Sequence, residues 1–134
     1  MTNEDETSAQ SGTGHRLLIV DDNRDAAESM AMLLQIWGHE VLCAYDGPSA
    51  LEISARYRPQ VVILDIGLPG MDGYQVASRL RDTPAASNAV LIAITGYGRE
   101  EDRLRSRLAG FDHHLVKPVG PDALQKLLRS LRVD

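Results

Sequence analysis

Short, unbroken apolar runs alternate along this chain with segments of helical periodicity. That alternation fixes most of what the chain can become. LLIV (Leu17–Val20), EVLCA (Glu40–Ala44), VVIL (Val61–Leu64), AVLIAI (Ala89–Ile94) and HLV (His114–Val116) are all strand-sized. The first gap carries Ala26, Met30, Leu33, Leu34 and Trp37 at helical spacing, and Gly38 comes next as a stop. In the second gap Pro48 opens a helix that runs to Tyr57, and Pro59 ends it. The third predicts a helix over Tyr74–Arg81 that packs with Val76, Ala77 and Leu80. The fourth predicts a charged helix over Arg99–Ala109 with a thin stripe of Leu104, Leu108 and Ala109, capped by Gly110. Leu124, Leu127, Leu128 and Leu131 form the stripe of the last helix.

Continuous apolar strands alternating with helices imply an α/β fold: a parallel sheet covered on both faces. Right-handed crossovers leave few topologies for the resulting five βα units. In open sheets of this kind ligands bind outside the carboxyl ends of the strands. The residues just after each strand are therefore where chemistry is expected.

Other features narrow the class. The 134 residues suit one domain, with 43% hydrophobic and 25% charged residues. A net charge of −5 and a pI of about 5.3 disfavour non-specific nucleic-acid binding. The single cysteine, Cys43, excludes an internal disulfide; it reads as a small core residue and suits a reducing, cytoplasmic setting. No apolar run approaches membrane-spanning length. The polar start, residues 1–15, lacks the basic and apolar regions of a signal peptide and reads as a disordered tail ahead of a domain over 16–134.

The strand ends carry a specific set of residues. Asp21 and Asp22 stand after the first strand, Asp65 after the third, Thr95 and Gly96 after the fourth, and Lys117 and Pro118 after the fifth. Taken singly, each has an ordinary reading. Asp21 and Asp22 could cap a helix, and Asp65 could open a turn through Gly67, Pro69, Gly70 and Gly73. Thr95 could end a strand, and Lys117 could be a solvated lysine. Taken together, three carboxylates, a hydroxyl and an ammonium meet on one rim. Three carboxylates at close range need compensating cations. Lys117 supplies one, and an all-oxygen site suits Mg²⁺ for the rest. A carboxylate in that setting can act as a nucleophile toward phosphorus.

IVDDN (Ile19–Asn23), ILDIGLPGMDG (Ile63–Gly73), AITGYG (Ala93–Gly98) and LVKPV (Leu115–Val119) resemble the motifs of the response-regulator receiver domain of two-component signalling. The resemblance runs from about Arg16 to the C-terminus. It implies a flavodoxin-like (βα)5 fold of strand order 2-1-3-4-5. It implies that Asp65 accepts a phosphoryl group from the phosphohistidine of a histidine kinase or histidine phosphotransfer protein. Asp22 and Asp65 would ligate Mg²⁺ directly, Gly67 through its carbonyl and Asp21 through water. Thr95 would be the switch hydroxyl, Lys117 would contact a phosphoryl oxygen, and the Lys117–Pro118 bond would be cis. Such a chain is a signalling domain rather than an enzyme, apart from self-catalysed phosphotransfer and autodephosphorylation.

The sequence also departs from the family. The switch aromatic three residues before the lysine, usually Tyr or Phe, is here His114, whose imidazole is a polar ring. His113 and His114 also read simply as a strand end with one ring out and one half-buried. Gly96, Tyr97 and Gly98 stand where many relatives carry alanine and a stiffer loop; Tyr97 would lie near the phosphoryl site or merely cover the loop. No output domain is expected after the last helix, and signalling by protein contact, without direct nucleic-acid or membrane binding, is expected with it. Two further contexts are a phosphate sink and a receiver of a hybrid sensor histidine kinase. An aspartyl-nucleophile phosphatase of the haloacid-dehalogenase type wants a second aspartate where Gly67 stands. A receiver that works without phosphorylation would not need the intact acidic set, and no P-loop pattern is present.

Overall fold

A computed structural model describes residues 14–96, 104–105, 107 and 109–131. The elements run β1 (Arg16–Val20), α1 (Arg24–Ile36), β2 (Glu40–Ala44), α2 (Gly47–Tyr57), β3 (Val61–Asp65), α3 (Gly73–Arg81), β4 (Val90–Thr95), β5 (His113–Val116) and α4 (Pro121–Ser130). The strands form one parallel sheet ordered β2-β1-β3-β4-β5. Leu104, Arg105, Arg107 and Ala109 are helical. The rest of the expected Arg99–Ala109 helix, Tyr97, Gly98 and most of the expected tail lie outside the described residues.

Side chains alternate across each strand because successive residues point to opposite faces. Leu18, Val20, Val62, Leu64, Leu91 and Ala93 pack under Ala50 of α2 and Val76, Ala77 and Leu80 of α3. Leu17, Ile19, Val61, Ile63, Ile92 and Ile94 pack under Ala27, Ala31 and Leu34 of α1 and Leu124 and Leu128 of α4. Each fully buried leucine or isoleucine contributes about 1.5–3 kcal/mol relative to exposure. Burial on both faces is what makes the strands read as unbroken apolar runs.

Several side chains lie elsewhere than the sequence suggests. The deepest face of α1 is Ala27, Ala31 and Leu34, whereas Ala26 is exposed and Met30, Leu33 and Trp37 are half-buried. Small alanines let the helix lie close to the sheet, and that proximity decides which stripe goes inward. Leu104, expected on a buried stripe with Ala109, is 48% exposed; Ala109 does pack against the core, and Phe111 is buried beside it. Cys43, read as core, is half-buried in the edge strand β2, its Sγ 3.7 Å from the Ala27 carbonyl. Among the described residues no helix is long and apolar enough to cross a membrane.

Candidate phosphoacceptor site

β1, β3, β4 and β5 end at one rim, and the chain leaving them builds a hollow of about 670 Å³. Asp21, Asp22, Asn23, Asp65, Gly67, Thr95 and Lys117 all line it. His114 does not: it sits half-buried inside β5, opposite Ala93.

Asp65 is the last residue of β3 and is 8% exposed. Its Oδ1 accepts from the Gly67 N–H at 2.8 Å, so the carboxylate closes the turn at the strand end. Its Oδ2 accepts from Lys117 Nζ at 3.0 Å. The Lys117 N–H in turn donates to the Thr95 carbonyl at 2.7 Å, which ties the lysine to the end of β4. The Lys117–Pro118 peptide is cis. Thr95 is buried, at 4% exposure.

Carboxylate oxygens of Asp21, Asp22 and Asp65 lie within 4.8 Å of one another. Burial pushes the Asp21 carboxyl above its ordinary value; the Asn23 N–H opposes that, and the charges of Asp65 and Asp22 add to it. Three hard oxygen donors carrying surplus negative charge fit a divalent cation such as Mg²⁺. One lysine, with its side chain 46% exposed, offsets only part of that charge.

The alternative reading of Asp21 and Asp22 as a cap is resolved locally. The N-cap of α1 is Asn23, whose side chain accepts from the Ala26 N–H at 3.1 Å. Asp21 Oδ1 accepts from the Asn23 N–H at 2.9 Å. Both aspartates are thereby left facing the hollow. Asn23 acts as the cap without having been singled out in the sequence; the signal was a residue type favoured at that position just before a helical stripe.

A second feature holds the loop after β3. Gly73 opens α3 against the backbone of that loop: a Cβ there would stand 2.6 Å from Ile66 Cα and 2.8 Å from the Asp65 carbonyl oxygen. Asp72 and Gln75 form a capping box at the same helix start.

Residues 17–129 match the response regulator receiver domain family. The chain belongs to that family. A 14.6 kDa protein of Leptolyngbya boryana is 34% identical over 85% of this receiver domain chain and 87% of its own length. Chemotaxis protein CheY4 of Vibrio cholerae superposes with a TM-score of 0.83 at 28% identity, over 87% of this chain and 97% of CheY4. The receiver domain of sensor histidine kinase PA1611 from Pseudomonas aeruginosa superposes with a TM-score of 0.78 at 28% identity, over 87% of this chain and 95% of that one. That structure has a magnesium ion coordinated in its active-site cleft. Against longer curated relatives this receiver domain spans 26% to 49% of their length.

Proposed function

We propose that this receiver domain is a phosphorylation-dependent switch in which Asp65 takes a phosphoryl group from the phosphohistidine of a histidine kinase or phosphotransfer protein. The supporting observation is the Asp65 carboxylate, held at a strand end with two further carboxylates within 4.8 Å and Lys117 at 3.0 Å. An Asp65 oxygen attacks phosphorus, the P–N bond breaks, and its electron pair returns to the imidazole nitrogen. Lys117, already on Oδ2, is placed to follow the phosphoryl oxygens. Thr95 supplies the hydroxyl that turns toward them. Asp21, Asp22, Asp65 and the Gly67 carbonyl would hold Mg²⁺, which when bound neutralises phosphoryl charge.

The acyl phosphate adds charge and acceptor oxygens at the rim. Moving such a switch from mostly off to mostly on takes about 5.5 kcal/mol of differential stabilisation. A partner that prefers the phosphorylated form supplies part of it, so signalling proceeds by protein contact, in the cytoplasm and without nucleic acid. His114 occupies the switch aromatic's place, three residues before Lys117, and its share in the output is a further element of the proposal. An aspartyl phosphatase finds less support, because Gly67 stands where its acid would be.

Incubation with Mg²⁺ and acetyl phosphate should add one phosphoryl group per chain, read by intact mass, and Asp65→Asn should abolish it. Equal uptake by Asp65→Asn would sink the assignment.

A further inference from the structure

Two arginines tie the chain after β4 to α3, and they do so very differently. Arg81, at the end of α3, donates from Nε and Nη2 to the Gly110 carbonyl at 3.0 and 2.6 Å. Its Nη1 donates to the Ser87 and Ala89 carbonyls at 3.0 and 2.6 Å. Nη2 also meets Asp112 Oδ2 at 2.8 Å, the oxygen that accepts from the Leu91 N–H. This is a saturated, partly buried anchor at the entrance to β5.

Arg105 is the opposite case. Its guanidinium lies 4.2 Å above the centre of the Tyr74 ring and its Nη2 is 4.0 Å from Asp72 Oδ2. The Arg105 side chain is 64% exposed. The contact joins the helical turn of Leu104 and Arg105 to the N-terminus of α3, whose Gly73 packs on the Asp65–Ile66 backbone. Tyr74 also meets Phe111 edge-on, with ring centres 6.5 Å apart.

We propose that Arg105 is a releasable clasp that favours the unphosphorylated arrangement, while Arg81 is the fixed point about which the change occurs. The inference rests on the phosphoacceptor reading of Asp65. Arg105 falls in sequence between Thr95, whose hydroxyl would turn toward the phosphoryl group, and Gly110, which Arg81 holds. Among the described residues Arg105 makes one long ion pair and one exposed cation–π contact, both weak. They yield before the many charge-assisted bonds of Arg81. A contact made only in the inactive state lowers apparent affinity for whatever selects the active one.

The test uses Mg²⁺ and beryllofluoride as the phosphoryl mimic, with the wild-type chain, Arg105→Ala, Asp72→Asn and the double variant, titrated by amide resonances of Gly67 and Lys117. Asparagine caps a helix as well as aspartate, so Asp72→Asn removes the charge and keeps α3. Each single variant should bind beryllofluoride about two- to tenfold more tightly than wild type. The double variant should bind no more than marginally tighter than Arg105→Ala, because both changes remove one interaction. Wild-type binding with unchanged or weaker affinity in Arg105→Ala would overturn the clasp alone. No Mg²⁺-dependent binding by wild type would take down the phosphoacceptor reading and the clasp with it.

Discussion

Lys117 Nζ and Asp65 Oδ2 stand 3.0 Å apart across 52 residues of sequence, and the pair joins the ends of β3 and β5. The lysine is half-exposed, so water screens its attraction. Asp65 is nearly buried and shares its surroundings with Asp21 and Asp22. The single pair therefore offsets only part of the repulsion within the acidic set. Asp65→Asn keeps an acceptor for the Gly67 N–H and removes one charge. Without divalent ions it should raise the unfolding free energy by about 1 kcal/mol. Added Mg²⁺ should then stabilise wild type more than the variant, because only the native chain offers three carboxylates. Urea unfolding with and without Mg²⁺ reads both effects, and equal Mg²⁺ gains in the two proteins would count against a metal role for Asp65.

Gly73→Ala should damage the site from outside it. The added methyl meets the backbone at Ile66 and the Asp65 carbonyl, which have no flexible side-chain end to move aside. Overpacking of that kind costs roughly 1–3 kcal/mol. The strain falls on the loop that carries Gly67, so beryllofluoride affinity should drop along with the denaturation midpoint. A variant with native affinity and native stability would show that α3 can shift freely from the loop.

The sheet and its rim were legible because both obey local rules. Unbroken apolar strands require two covered faces, and a parallel sheet puts Asp21, Asp65, Thr95 and Lys117 at its carboxyl edge. Less visible were features set by distance in space. Nothing in the sequence marks Arg81 as the residue that satisfies carbonyls of Ser87, Ala89 and Gly110, since irregular segments carry no periodic pattern. The inward stripe of α1 was displaced for a similar reason. Periodicity favoured the larger Met30 and Leu33, whereas close packing on the strands selected Ala27 and Ala31. Cys43 suited the strand pattern of a core residue, but β2 is an edge strand, and an edge leaves side chains half-covered.

Ser54 offers a stabilising change. It is fully buried on α2, and among the described residues its Oγ has no hydrogen-bond partner. A buried hydroxyl without a partner loses its water contacts with no return. Ser54→Ala should leave stability unchanged or raise it by about 1 kcal/mol, with no effect on phosphoryl uptake. A loss of stability would reveal an ordered water serving that hydroxyl.

The opposite pole of the sheet carries a titrating pair. The rings of His15 and His39 stack at 5.4 Å with 17° between their planes, and the His15 backbone N–H donates to His39 Nδ1 at 3.0 Å. Burial lowers both pKa values below 6.5; a hydrogen bond to the Leu128 backbone opposes this for His15, and the charge of His15 adds to it for His39. The hollow beside them is also lined by Arg129 and, among the described residues, by no carboxylate. The unfolded chain therefore binds protons at a higher pH than the folded one. Stability from this pair is complete above pH 6.5 and is lost as pH falls through that value toward the lower folded-state pKa values. His39→Asn places an amide oxygen where Nδ1 accepts and cannot titrate. Between about pH 7.5 and 5.5, wild type should lose more unfolding free energy than His39→Asn. Urea midpoints at a series of pH values decide it, and identical slopes would assign the pH dependence to other groups.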